Sequence, residues 1–246
     1  MDDWTTSPRA LTRRNAEGWT FFTEAVRDFR TTGAVAPSGR TLARRLTDPL
    51  RAPTARPLNV LEAGAGTGSV TRAVIPLLSR DSRLDIVESN ERFVERLRHL
   101  ISTHPDLAAD RERVRVHHTL VEQLDTRRRY DVIVSGLPFT NFHPEQVEAI
   151  MDRYLDLLHP GGALTYFTYL GTRRARSLLG GRADASRHRA VEEVLARRQR
   201  RYATACRTVW GNLPPGQGIA AASTVGAGNR PGRAPPPGRS GKRCMT

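Results

Sequence analysis

Three glycines and two acidic residues form the strongest candidate site in the sequence. Gly64, Gly66 and Gly68 have the spacing Gly-x-Gly-x-Gly, after an apolar run that predicts a strand and before a helical pattern. Glycine allows a tight turn and lets the backbone approach a ligand closely. Glu62 precedes the first glycine by two residues, and Glu88 ends the next predicted strand. A carboxylate at the end of that strand can accept hydrogen bonds from both hydroxyls of a ribose, so the pattern predicts a nucleoside site.

A regular alternation of apolar runs and helical patterns surrounds this glycine loop. Residues 58–215 predict an α/β fold, a Rossmann-like sheet with helices on both faces. Such sheets bind ligands at the carboxyl ends of their strands, where the glycine loop and Glu88 fall. The predicted strands are residues 58–63, 83–88, 113–118, 130–135, 163–170 and 202–210, and the predicted helices are residues 69–78, 90–101, 144–158 and 186–200. Asn90 is the predicted N-cap of the second helix, and the glycine pair 161–162 is expected to stop the third.

Two flanking segments differ from this core in composition. Residues 1–57 are rich in arginine and predict a helical extension that could act as a lid, interrupted by several prolines. Residues 216–246 contain seven glycines, four prolines and no large apolar cluster. We expect this tail to be disordered, because it has too little apolar surface to offset the entropy lost on folding.

Composition excludes two broad classes of protein. The longest uncharged apolar stretch, residues 161–171, is shorter than the ~20 residues of a membrane-spanning helix, and the first residues show no signal-peptide core. Two cysteines in 246 residues exclude a disulfide-rich module. We therefore expect a cytoplasmic protein, or one bound peripherally to the inner face of the membrane. The net charge of +14 is compatible with nucleic acid, an anionic membrane or an acidic substrate as partner.

The glycine loop with its acidic partners resembles the first motif of class I S-adenosylmethionine-dependent methyltransferases. A dinucleotide site would have glycine at the position of Ser69 instead. The resemblance implies an enzyme with S-adenosyl-L-methionine as cofactor, with Glu62 near its methionine end and Glu88 on its ribose. It leaves the residue that contacts adenine unassigned. The implied lining of the cofactor is Gly64, Ala65, Gly66 and Gly68.

A second motif, Ser-Gly-Leu-Pro-Phe at residues 135–139, follows a predicted buried strand. Adenine-N6 methyltransferases have Asn or Asp at the position of Gly136, which accepts a hydrogen bond from the flipped base. Ser-Gly-Leu-Pro is similar instead to the bacterial soluble-type phospholipid N-methyltransferases, which methylate phosphatidylethanolamine. Segments 33–40, 166–169 and 209–215 also resemble that family, so that the resemblance covers about residues 17 to 215.

This second resemblance implies methyl transfer to a lipid head-group amine at an anionic membrane surface. The amine must lose a proton before it attacks, and no residue is clearly the base. The cofactor contacts implied in the motif are Ser135 and Gly136, the substrate contacts are Trp19, Leu137, Pro138 and Phe139, and the candidate catalytic groups are Tyr169, Phe139 and His143.

One helical pattern near the N-terminus favours a membrane surface. In residues 15–30, Trp19, Phe22, Val26 and Phe29 share one face, with arginines at its borders. Such a face suits an anionic bilayer, and it equally suits a lid helix packed on the core. Both interpretations stay open.

Three alternative functions also remain open. The first is an rRNA adenine N6-dimethyltransferase-like enzyme, which the positive charge favours and Gly136 disfavours. The second is a small-molecule N- or O-methyltransferase, and the third is a non-catalytic lipid- or nucleic-acid-binding module. We predict no metal, because no histidines and cysteines have the spacing of metal ligands. The sequence does not predict an oligomeric state.

Overall fold

Seven strands form one sheet, in the spatial order β3-β2-β1-β4-β5-β7-β6. The computed structural model describes residues 37–170, 182–209 and 219–226. The strands are β1 (Asn59–Ala63), β2 (Arg83–Glu88), β3 (Val114–His118), β4 (Tyr130–Ser135), β5 (Leu158–Leu170), β6 (Ala203–Val209) and β7 (Ile219–Gly226), and the α-helices are α1 (Pro37–Leu46), α2 (Thr71–Val74), α3 (Glu91–Thr103), α4 (Pro144–Leu157) and α5 (Arg182–Tyr202).

The direction of the strands confirms the predicted Rossmann-like fold class. Strands β1 to β5 pair in parallel, and β7 runs antiparallel to both β5 and β6. The chain order reverses between β1 and β4, which lie side by side at the centre of the sheet. Open α/β sheets bind ligands at this switch point, at the carboxyl ends of the strands.

The sheet separates two apolar layers, because successive side chains of a strand point to opposite faces. On one face Leu61 and Ile133 pack with helices α4 and α5, and on the other Val60 and Val132 pack with helices α1 to α3.

Helix α1 belongs to the folded core. Leu46 and Leu50 are buried, and the Thr165 hydroxyl on β5 donates to the Leu46 carbonyl at 2.7 Å. Part of the predicted N-terminal segment, residues 1–57, therefore packs on the sheet. The aromatic helix predicted at residues 15–30, with Trp19, lies outside the described residues.

The prediction of a disordered tail is wrong for residues 219–226. They form β7, which lies between β5 and β6, with Ser223 opposite both Tyr166 and Cys206. The segment Ile-Ala-Ala-Ala-Ser-Thr-Val-Gly has no charge and can pair on both of its edges. The sequence pattern did not predict this strand, because glycines and prolines flank it. The sheet thus continues past the predicted domain boundary at residue 215.

Two predicted boundaries also shift for local reasons. The helix predicted at residues 69–78 is α2 followed by a 3-10 turn, Ile75–Leu77, because Pro76 has no N–H to continue the α-helical pattern. Helix α4 ends at Leu157, before the glycine pair expected to stop it, and β5 starts at once where Leu158 pairs with Tyr130.

Truncation tests the placement of β7. A chain that ends at residue 215 lacks β7 and leaves strand edges on β5 and β6 unpaired. We expect its melting temperature to fall by roughly 10 °C or more, or the variant to aggregate. A chain that ends at residue 226 keeps β7 and serves as the control in thermal melts followed by circular dichroism. Equal melting temperatures for the two truncations would contradict the placement.

Candidate functional site

The glycine loop after β1 is a tight turn with one side open. Gly64, Gly66 and Gly68 have φ values of 71°, 54° and 80°, which L-residues with side chains rarely adopt. The Gly64 N–H donates to the Val87 carbonyl at 2.9 Å, which fixes the start of the loop to β2. A Cβ on Gly66 would meet no atom within 4 Å, whereas one on Gly68 would contact Leu97 and Leu100 of α3. The backbone at Gly66 therefore borders open space that a ligand can enter.

Glu88 at the end of β2 connects the glycine loop to helix α3. One carboxyl oxygen accepts from the Gly66 N–H and the other from the Asn90 N–H, each at 2.8 Å. Asn90 is the predicted N-cap of α3, and its side chain accepts from the N–H groups of Arg92 and Phe93. Burial raises the pKa of the Glu88 carboxyl, and the backbone donors partly offset this effect. The structure thus holds Glu88 beside the open backbone of Gly66, as the predicted ribose contact requires.

Glu62 lies on the same face of the sheet as Glu88, one strand away. It is 1% exposed, and neither carboxyl oxygen has a hydrogen-bond partner among the described residues. Burial is the largest effect and raises the pKa of Glu62 to about 8. Thr71 of α2 offsets part of this rise, and the charge of Glu88 adds a smaller one. At neutral pH the Glu62 carboxyl therefore keeps its proton in the folded chain.

The turn after β4 packs directly on the glycine loop. A Cβ on Gly136 would lie 2.5 Å from the Gly64 carbonyl oxygen, and one on Gly64 would overlap Leu137 Cδ2. The Gly136 N–H donates to the Ala63 carbonyl at 2.8 Å. Gly136 was predicted from the sequence as a cofactor contact, and the structure adds a steric reason for glycine there. Leu137, a predicted substrate contact, is a core residue that covers Gly64.

The remaining predicted site residues differ in burial and position. Phe139 is 1% exposed, with its ring 5.6 Å from that of Tyr166 in an edge-to-face contact. Pro138 is half-buried, while His143 is exposed at the N-cap of α4, where its N–H donates to the Gln146 side chain. The backbone of Tyr169 belongs to β5. Their catalytic and substrate roles stay predictions, and in this structure Phe139 presents no surface to a substrate.

Two polar residues of this region were missed as site candidates. Tyr154 shares the apolar face of α4 in the sequence pattern, but its hydroxyl donates to Ser135 Oγ at 3.0 Å. Glu122 follows β3 in a 3-10 turn, and its buried Oε2 has no partner within the described residues. Burial raises the pKa of Glu122. The helical pattern predicts only a core position for Tyr154, because a tyrosine on such a face usually contributes its ring to the core.

The residues present suit S-adenosylmethionine. The open backbone at Gly66 can take a close ligand, and the Glu88 carboxylate beside it can accept from ribose hydroxyls. Arg72, which lies next to the loop, donates to the Thr67 and Gly68 carbonyls. Over the described ranges, no group of three or more His, Cys, Asp or Glu residues could hold a metal ion.

Glu62→Gln should remove a pH dependence of stability. The folded-state pKa of about 8 exceeds the usual 4.5, so the free energy of unfolding falls as pH rises from about 4.5 to about 8. The loss reaches up to about 1.4 kcal/mol per pH unit in that window. Glutamine does not titrate, so the variant does not lose unfolding free energy in this way. In urea denaturation, its free energy of unfolding minus that of wild type should therefore rise from pH 5 to pH 8.

The matched control is Glu95→Gln, at an exposed position of α3. Its difference from wild type should be the same at both pH values. If Glu62→Gln behaves like this control, a protonated Glu62 in the folded state is contradicted.

Comparison with known proteins supports a methyltransferase fold. Residues 61–164 match the family described as a methyltransferase domain. No curated protein matches the chain in sequence.

Several solved methyltransferases share the fold. The Burkholderia thailandensis 1,6-didemethyltoxoflavin-N1-methyltransferase, with bound 1,6-didemethyltoxoflavin and S-adenosylhomocysteine, has a TM-score of 0.61 and 19% identity over 93% of this chain and 94% of that chain. N-methyltransferase NodS from Bradyrhizobium japonicum WM9, in complex with S-adenosylhomocysteine, has a TM-score of 0.56 and 16% identity over 78% and 88%. An O-methyltransferase from Bacillus cereus, also in complex with S-adenosylhomocysteine, has a TM-score of 0.54 and 17% identity over 89% and 92%.

Residues 61–164 match a methyltransferase domain, and the sheet that contains them has the fold of the class I methyltransferases. Together with the open glycine loop and Glu88, these findings support a methyltransferase that uses S-adenosylmethionine as its cofactor.

Proposed function

We propose that this enzyme methylates a nitrogen or oxygen atom of a small molecule. The observation that carries the proposal is the contact between Gly136 and the Gly64 carbonyl. Any side chain at position 136 would begin 2.5 Å from that oxygen, so the turn has no room for the asparagine that accepts from a flipped adenine. This argues against a nucleic-acid base as acceptor, despite the net charge of +14.

The similar solved structures support the same acceptor class. The Burkholderia thailandensis enzyme, which covers 93% of this chain, is named for methylation at N1 of 1,6-didemethyltoxoflavin. The neighbours also include an N-methyltransferase and an O-methyltransferase. At identities below 20% these names leave nitrogen and oxygen both open for this chain.

The chain's own contribution to the reaction is to position the reactants and exclude water. Bound S-adenosylmethionine supplies an electrophilic methyl group on its sulfonium. Glu88 would hold the ribose, and the backbone at Gly64 and Gly66 would approach the cofactor from the side of β1. The buried turn at Leu137 closes the loop from the side of β4 and keeps water away. An amine acceptor must also lose a proton, for which Tyr169 and His143 remain the proposed candidates.

A phospholipid head-group amine is the second candidate acceptor. The Ser-Gly-Leu-Pro-Phe turn favours it, because this motif carries the resemblance to phospholipid N-methyltransferases and lies at the edge of the cofactor site. Within the described ranges no helix has the length and apolarity needed to cross a bilayer. For lipid methylation, the helix predicted at residues 15–30 is the proposed element of contact with the membrane surface.

A transfer assay separates these acceptors. Purified protein and methyl-labelled S-adenosylmethionine would be incubated with soluble amines and phenols, with phosphatidylethanolamine vesicles with and without phosphatidylglycerol, or with total RNA. We expect label in the soluble amines or phenols alone. Label in the lipid extract would replace the proposal with the phospholipid function, and label in RNA would overturn both. Absence of label from all three pools, in protein that binds S-adenosylhomocysteine, would contradict every acceptor proposed here.

Glu88→Gln should weaken cofactor binding without loss of the fold. Glutamine has nearly the same shape but no negative charge, and its NH2 group replaces one accepting oxygen, so the bonds from the ribose and from the Gly66 or Asn90 N–H would be weaker. We expect the dissociation constant of S-adenosylhomocysteine, measured by calorimetry, to rise by about tenfold. Glu95→Gln is again the control and should bind as wild type does. An unchanged constant for Glu88→Gln would rule out the ribose contact.

A further inference from the structure

A buried tyrosine on helix α4 reaches the turn that closes the cofactor site. Tyr154 and Ser135 are both 0% exposed, and the Tyr154 hydroxyl donates to Ser135 Oγ at 3.0 Å. The other buried residues of α4 are apolar: Val147, Ile150, Met151 and Leu157. The Tyr154 hydroxyl therefore forms a specific polar link between this helix and the end of β4.

The link continues from Ser135 to the glycine loop. Ser135 Oγ also accepts from the Leu137 N–H at 3.4 Å, which spans the turn around Gly136. The Gly136 N–H donates to the Ala63 carbonyl, and the Leu137 side chain lies against Gly64. A displacement of Ser135 would thus move the turn relative to the loop that borders the cofactor.

The buried setting of Tyr154 favours its neutral phenol, the form that can donate. Burial raises the pKa of Tyr154, the bond to Ser135 offsets part of this rise, and the nearby charge of Glu122 adds a smaller rise. Among the described residues, Tyr154 Oη and the Leu137 N–H are the groups that hydrogen-bond to Ser135 Oγ. Because a hydroxyl oxygen has two lone pairs, these two donors use its full accepting capacity.

We infer that Tyr154 is a positioning residue for the cofactor site, which acts by holding Ser135 and the Gly136–Leu137 turn against the glycine loop. The inference rests on the cofactor site of the proposed function, and it does not depend on which acceptor is methylated. Tyr154 itself has no contact with the open side of the loop, since it is fully buried on the face of the sheet opposite Glu62 and Glu88.

The test compares two buried tyrosines that differ in place. Tyr154→Phe removes the hydroxyl near the carboxyl end of β4. Tyr130→Phe is the matched control, because Tyr130 is also 0% exposed and its hydroxyl donates to the Asp85 carboxylate at 3.0 Å, at the start of β4. For each variant, the dissociation constant of S-adenosylhomocysteine would be measured by calorimetry and the melting temperature by circular dichroism.

Both variants should melt at a lower temperature than wild type, because each loses a buried hydrogen bond. Tyr154→Phe should also raise the dissociation constant by about three- to tenfold. Tyr130→Phe should leave that constant unchanged. An unchanged constant in Tyr154→Phe, with a lowered melting temperature, would reduce Tyr154 to a structural role and overturn the inference.

Ser135→Ala gives a second measurement and covers the case in which Tyr154→Phe fails to fold. It should raise the dissociation constant to a similar extent. The double variant should have a dissociation constant no higher than that of the more affected single variant, because the two groups act through one link. Additive losses, or an unchanged constant in Ser135→Ala, would contradict the link. Failure of wild type to bind S-adenosylhomocysteine would instead contradict the cofactor site itself, and so the two failures are distinguishable.

Discussion

The cofactor site depends on the close approach of two backbone turns at the centre of the sheet. The Gly64 carbonyl and the α-carbon of Gly136 are so near that a Cβ on Gly136 would lie 2.5 Å from the oxygen. Strands β1 and β4 are neighbours, and their carboxyl ends must each turn away within a few residues. Two glycines permit this without strain, and Leu137 then fills the space over Gly64. The glycine loop is consequently held from below by β1, from one side by Glu88 and from the other by Leu137.

Polar groups at the carboxyl end of the sheet are divided between its two faces. Glu62 and Glu88 lie on the face of α2 and α3, while Ser135 and Tyr154 lie on the face of α4. Burial of a carboxyl group is costly unless hydrogen bonds or protonation compensate. Glu88 has two backbone donors, whereas Glu62 has none among the described residues and keeps its proton at neutral pH. Burial raises the pKa of both acids of the motif, and the two backbone donors offset part of this effect for Glu88.

Sequence patterns predicted the parts of this enzyme that depend on local chemistry. The Asn90 N-cap, the β1 to β4 strands and the place of Glu88 follow from periodicity and turn residues. Strand β7 was missed, because its pairing partners are distant in sequence and its alanines carry no strong strand preference. In the sequence, Gly136 indicates only the lack of a base-reading side chain, because its contact with Gly64 depends on β1 and β4 lying side by side. Tyr154 was missed for the same reason, since its hydrogen bond joins two elements.

The same turn restricts how acceptor selectivity can arise in this chain. Residues Ser135 to Leu137 are fixed by contacts with β1, the glycine loop and α4, and Phe139 is packed edge-to-face on Tyr166. A substitution here that changed the acceptor would also shift the wall of the cofactor site. Positions outside this turn can change acceptor selectivity with less loss of cofactor binding, because they do not also hold the wall of the cofactor site. The motif that resembles phospholipid methyltransferases is thus constrained by cofactor geometry, and its presence alone is weak evidence for a lipid acceptor.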